Sequence, residues 1–136
     1  MPEPICLDAS IIIALVVAEP ATERLNALWV AWATEGRRLV APRLLPFEVA
    51  AALERKMRKG ELESNLARMA LSAAELLAAV IEQPEIVGGL GMAWDLAGAY
   101  RLRLLDACYL AIAQQEGADL WTLDRELASR AGGKTP

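Results

Sequence analysis

Residues 104–127, LLDACYLAIAQQEGADLWTLDREL, restrict the fold more than any other stretch of the chain. The apolar run from Ala107 to Gln115 is too long for a typical strand and reads as a helix opened by Asp106. Gly117 breaks it, Ala118 to Leu123 reads as a short buried strand, and Asp124 opens another helix with Leu127 facing inward. A buried strand set so tightly between helices belongs to a parallel sheet covered on both faces. In such a sheet the strand-to-helix junctions lie along one edge, at the carboxyl ends of the strands, where ligands bind. Both aspartates also suit plain N-caps, because a carboxylate oxygen accepts the orphan N–H groups of a first turn. A chemical role requires further acids converging on the same edge.

The chain before this stretch supplies more of the same pattern. Ile5 to Leu7 is a short apolar strand ending in Asp8, followed by Ser10 and the aliphatic run Ile11–Val17. Ser10 suits either a helix cap or a support for Asp8. Ala21 to Glu35 reads as an amphipathic helix with Leu25, Leu28, Trp29 and Trp32 on one face. Gly36 ends it, and Leu39 to Ala41 makes a second short strand stopped by Pro42. Pro46 sets up a helix from Phe47 that carries Glu48 in its first turn, where an acid also complements the helix dipole. Its distal end, ERKMRK (54–59), reads as a solvated basic face or a phosphate-contacting patch. Leu62 to Ile81 reads as a long helix, and Gly88, Gly89 and Gly91 as a loop leading to a helix from Met92. The closing residues AGGKTP read as a disordered tail, which leaves a single domain over residues 1–131 and a tail over 132–136.

Composition narrows the chemistry. Histidine is absent, so Ser–His and Cys–His nucleophiles, histidine bases and His-bearing zinc sites are excluded. Cys6 and Cys108 stand apart among apolar residues, as buried thiols in a reducing compartment would. The net charge of −4 does not suggest nucleic-acid binding by bulk electrostatics, although cations held in a carboxylate cluster would invert the local field. Hydrophobic residues make up 55% of the chain, yet its apolar runs are too short or too interrupted to cross a bilayer. The excess fits a buried sheet and a partner surface. With Asp8 where a signal peptide would be apolar, a cytoplasmic location is expected.

Four acids stand out by position: Asp8 after the first strand, Glu48 and Asp106 at helix starts, and Asp124 after the last strand. Right-handed crossovers allow all four to share one sheet edge. Carboxylates gathered there would repel, so one must protonate or a cation must bind. Oxygen donors without histidine or thiolate favour Mg²⁺ or Mn²⁺. One or two such ions can orient a phosphodiester, activate water and stabilise a leaving oxygen.

At LDAS (7–10), PFEVAAAL (46–53), LLDACYLAIA (104–113) and LWTLDREL (120–127) the chain resembles the four signature segments of PIN-domain ribonucleases. Within that family it is most similar to the VapC-type toxins of prokaryotic toxin–antitoxin pairs. The resemblance implies a three-layer α/β/α domain with a short, mostly parallel sheet of about four to five strands. It implies a metal-dependent endoribonuclease with Asp8 and Asp106 as principal metal ligands, Glu48 as third acid and Asp124 as fourth. Ser10 and Thr122 would be supporting hydroxyls. It also implies a homodimer held inactive by a cognate antitoxin whose tail, often with an arginine, enters the acidic groove. With so little chain after Arg130, the fifth strand is expected to be short or missing. Arg43, Arg55, Lys56, Arg58, Lys59 and Arg125 are candidate contacts to RNA phosphates.

Two other readings use the same acids. A haloacid-dehalogenase-like phosphatase needs a second aspartate two residues after the first, where Ser10 stands, and a phosphoreceiver needs paired acids and a lysine that are not in place. Alternatively the domain is a non-catalytic α/β binding module whose acids merely cap helices.

Overall fold

The computed structural model describes residues 2–136. In chain order these form β1 (Ile5–Leu7), α1 (Ala9–Val16), α2 (Thr22–Thr34), β2 (Leu39–Val40), α3 (Leu45–Arg58), α4 (Ser64–Ala78), α5 (Gly89–Tyr100), α6 (Leu104–Glu116), β3 (Asp119–Trp121) and α7 (Arg125–Ala131). The sheet is parallel, ordered β2-β1-β3, and Ile5 lies opposite both Leu39 and Asp119.

Three strands are fewer than the four to five expected. Single parallel bridges stand where outer strands would be: Glu82 beside Val40, and Lys134 beside Trp121. On the first side Pro84 follows closely, and without an N–H it cannot extend a ladder. On the other side lies the stretch expected to be a disordered tail. It is held instead. The Lys134 N–H donates to the Leu120 carbonyl at 2.7 Å, and the Lys134 carbonyl accepts from the Thr122 N–H at 3.0 Å. The Lys134 ammonium sits 3.1 Å from Asp119. Gly133 makes this approach possible, since a Cβ there would stand 3.1 Å from the Leu120 carbonyl oxygen.

Strand alternation explains the layers. On one face Cys6 points to α6, its thiol 3.5 Å from the Tyr109 carbonyl. On the other, Leu7 is in register with Trp121, whose ring meets Trp32 of α2 edge-on at 5.2 Å. β1 is thus wholly buried between helical layers. In α6 the run Ala107–Ala113 is buried without a break, because the helix packs against all three strands and also against α5. An all-round apolar helix is what such a position requires.

Several helix ends differ from the sequence reading. α4 is shorter than Leu62–Ile81, and α5 begins at Gly89, not Met92, with Gly88 in the left-handed region at φ 88°. Asp106 does not open α6; Arg103 is its N-cap and Asp106 lies in the first turn. The cause is upstream: Arg101 adopts φ 55° and ends α5 in a tight left-handed turn, so α6 starts early.

Candidate active site

The end of β1 turns directly into α1 at Asp8. This residue is an N-cap, accepting the Ser10 N–H through Oδ1 at 3.0 Å. It accepts two further bonds, from the Ser10 hydroxyl at Oδ1 and from the Thr122 hydroxyl at Oδ2, both at 2.5 Å. Those hydroxyls in turn accept the N–H groups of Leu123 and Asp124. The β1–α1 and β3–α7 junctions, more than a hundred residues apart, are therefore tied through one carboxylate. Asp8 is only 7% exposed. Burial pushes its carboxyl up to about 6, against the opposing pull of the hydrogen bonds from Ser10 and Thr122.

Asp124 caps α7 through Oδ1, which accepts the N–H groups of Glu126 and Leu127. The capping reading is thus correct for Asp8 and Asp124. It fails for Glu48 and Asp106, which lie in the first turns of α3 and α6 and cap neither helix. All four acids nevertheless line one groove, a cavity of about 410 Å³ shared with Ser10, Glu19, Arg55, Arg103 and Tyr109.

Arg103 stands among these carboxylates. Its guanidinium lies 3.1 Å from Asp106 Oδ2. Asp106 above all, with lesser contributions from Asp124 and Glu48, holds its charge more firmly than usual. The arginine is 82% exposed and bonds only Asp106 among the four acids. Among the described residues no three carboxylates are gathered closely enough in this arrangement to grip one ion. The donor chemistry still fits a hard divalent cation: carboxylates and hydroxyls line the groove, with no imidazole or thiol.

Tyr109, 1% exposed, also lines the groove, and its hydroxyl makes no well-formed hydrogen bond. Burial first, and then Glu48 as a close acceptor and a nearby charge, push the phenol far above its ordinary range, so it stays protonated.

Of the six basic residues picked from the sequence, only Arg55 lines the groove. Arg43 pairs with Glu85 at 3.0 Å beside a separate apolar pocket of about 320 Å³, and Arg58 pairs with Glu54 along α3. Lys56, Lys59 and Arg125 do not reach the groove lining. Arg103, Tyr109 and Glu19 were missed. Arg103 and Tyr109 flank Asp106 by three residues on either side, and projecting the helix around that acid would have found both. Glu19 lies in an irregular connection and leaves no periodic signal.

A short parallel sheet whose strand ends gather acids and hydroxyls in one groove defines an α/β domain with an oxygen-donor site suited to a hard cation. The PIN domain family model matches residues 5–133, and the chain belongs to that family. It is 30% identical to Ribonuclease VapC3 of Pyrobaculum aerophilum, over 91% of this chain and 92% of the relative. Two crystal structures share the fold. The Pyrobaculum aerophilum protein PAE2754 has a TM-score of 0.75 at 24% identity, covering 99% of this chain and 92% of that one. Mycobacterium tuberculosis VapC20, a sarcin–ricin loop cleaving toxin, has a TM-score of 0.69 at 18% identity, covering 92% and 93%.

Proposed function

We propose that this chain is a metal-dependent endoribonuclease and the toxin of a type II toxin–antitoxin pair, acting in the cytoplasm. The observation that carries the reading is the convergence of Asp8, Glu48, Asp106 and Asp124 on one groove from four separate elements. The ribonuclease relative, aligned along nearly the whole chain, supports it.

Asp8 and Asp106 would be the principal ligands of one or two Mg²⁺ or Mn²⁺ ions, with Glu48 binding directly or through water and Asp124 completing the set. When bound, such ions supply Lewis acidity and lower the pKa of water. The chain's own residues do the rest. Ser10 and Thr122 fix the Asp8 carboxylate by hydrogen bonds to both oxygens. Asp124 keeps Oδ2 free while Oδ1 caps α7. Arg103 holds only Oδ2 of Asp106, which leaves Oδ1 to act as a ligand. The Arg103 guanidinium lies beside the groove with Arg55, where both can hold RNA phosphate oxygens. In-line attack of water would leave a 5′-phosphate and a 3′-hydroxyl.

Partner surfaces accompany the groove. Leu90 and Trp94 project from one face of α5, 72% and 71% exposed, and Leu66, Met69, Leu76 and Val80 form an exposed stripe along and just beyond α4. Apolar faces of this kind suit a second copy of the chain and an antitoxin. An arginine from an antitoxin would meet the same carboxylates that Arg103 meets. Among the described residues no helix is long and apolar enough to cross a membrane.

The test is RNA cleavage by purified protein with Mn²⁺, with excess EDTA, and by Asp106→Asn. Cleavage is expected only for wild type with Mn²⁺, with circular dichroism unchanged in the variant. The rival reading, a binding module with capping acids, rests on the caps made by Asp8 and Asp124. It would prevail if wild type neither cleaved RNA nor bound Mn²⁺.

A further inference from the structure

We infer that the main chain of Lys134 is a positioning element of the acidic site: it clasps the end of β3 and so keeps the Thr122 hydroxyl on Asp8. The inference rests on the metal-dependent reading above. The Lys134 N–H donates to the Leu120 carbonyl at 2.7 Å, and the Lys134 carbonyl accepts the Thr122 N–H at 3.0 Å. The second bond closes a loop that runs from Thr122 through Asp124 and α7 back to Lys134. That loop carries one of the four groove acids and a hydroxyl that binds another. Its return is held as well, since the Gly133 N–H donates to the Ala128 carbonyl of α7 at 2.8 Å.

Hydrogen bonds connect the clasp to Asp8 without a gap. Thr122 is fully buried, so its N–H has no water to turn to if Lys134 moves away. Its hydroxyl accepts the Asp124 N–H at 3.0 Å and gives its single proton to Asp8 Oδ2 at 2.5 Å. Asp8 Oδ1 takes both bonds from Ser10, so the aim of Oδ2 rests on Thr122. Partners of this kind orient the groups that ligate metals. The grip is made by the main chain. The Lys134 ammonium pairs with Asp119 at 3.1 Å, but its side chain is 54% exposed, and Asp119 also pairs with Arg37 at 3.0 Å. An exposed ion pair contributes little.

Full-length wild type, Lys134→Pro, Gly133→Val and Asp119→Asn are compared by thermal melting in EDTA and by calorimetric titration with Mn²⁺. Lys134→Pro removes the N–H given to Leu120, and Gly133→Val sets a Cβ 3.1 Å from the Leu120 carbonyl oxygen. Both should melt roughly 2–8 °C below wild type. Both should bind Mn²⁺ about tenfold more weakly, the low end for partners of metal ligands, because the broken bond lies one step farther out. Asp119→Asn breaks the ion pairs and spares the clasp, so it should melt lower with Mn²⁺ affinity unchanged. In a Thr122→Val background, Lys134→Pro should still lower melting and weaken Mn²⁺ binding no further. Wild-type Mn²⁺ affinity in Lys134→Pro and Gly133→Val, whatever their melting, would make the tail a structural brace alone and overturn the inference. An equal loss of affinity with and without the Thr122 hydroxyl would overturn it too, as would an equal loss in Asp119→Asn. Where wild type binds Mn²⁺, those outcomes leave the metal-dependent reading standing. If wild type binds none, that reading falls and the inference with it.

Discussion

Replacing Asp8 with asparagine should stabilise the metal-free protein at pH 7.5 while abolishing RNA cleavage. Burial lifts the Asp8 carboxyl from 3.8 to about 6 in the folded chain. The unfolded chain titrates near the ordinary value. Between these values the folded state holds more protons than the unfolded state, so stability falls as pH rises. The penalty is absent well below 3.8, grows through the interval, and is complete above about 6. A gap of roughly 2 pH units, at about 1.4 kcal/mol each, makes about 3 kcal/mol. Asparagine carries no charge and escapes this cost. It remains a good N-cap, and its carbonyl can keep the two bonds from Ser10. Its amide must face the Thr122 hydroxyl in place of Oδ2, which gives back about 1 kcal/mol. The net gain at pH 7.5 is about 2 kcal/mol. At pH 4.5 most folded molecules already carry the proton, and the advantage shrinks to about zero. Urea denaturation in EDTA at the two pH values measures both numbers. If Asp8→Asn proves less stable than wild type at both, Asp8 is not a charge held at a cost, and its burial has been misjudged.

Arg103→Gln should bind Mn²⁺ roughly two- to fivefold more tightly by calorimetry, because a competing cation is gone. The effect is small because the Arg103 side chain is 82% exposed, and an unchanged affinity would mean that the guanidinium does not compete for Asp106. Removing residues 132–136 should cost about 1–3 kcal/mol in urea denaturation, since it strips two backbone bonds from β3 and leaves the buried Thr122 N–H unpaired. An unaffected midpoint would show that the Lys134 bridge contributes nothing to stability.

The fold was legible where side-chain pattern and backbone coincide. The strands Ile5–Leu7 and Asp119–Trp121, the second shorter than the Ala118–Leu123 read from the sequence, are each followed by an aspartate at the start of a helix. Glu48 and Asp106 were found because Pro46 and the α6 apolar run mark helix starts, though Asp106 lies one turn inside. The tail was misread because AGGKTP has no apolar pattern. Its order comes from backbone hydrogen bonds to β3 and from a glycine that fits against a carbonyl, neither of which requires a hydrophobic side chain.

The sequence by itself determined the parallel α/β architecture, the oxygen-only chemistry and the four acids at junctions. These depend on local periodicity, on turn residues and on the absence of histidine. Only the tertiary structure decided that Thr122 and Ser10 lock Asp8, that Arg55 and Glu19 share the groove with the acids, and that the Tyr109 phenol is buried beside Glu48. Most of those relations join residues far apart in the chain. They depend on how α3 and α6 bring their first turns to one sheet edge, and distances across such a groove leave no periodic trace along the sequence.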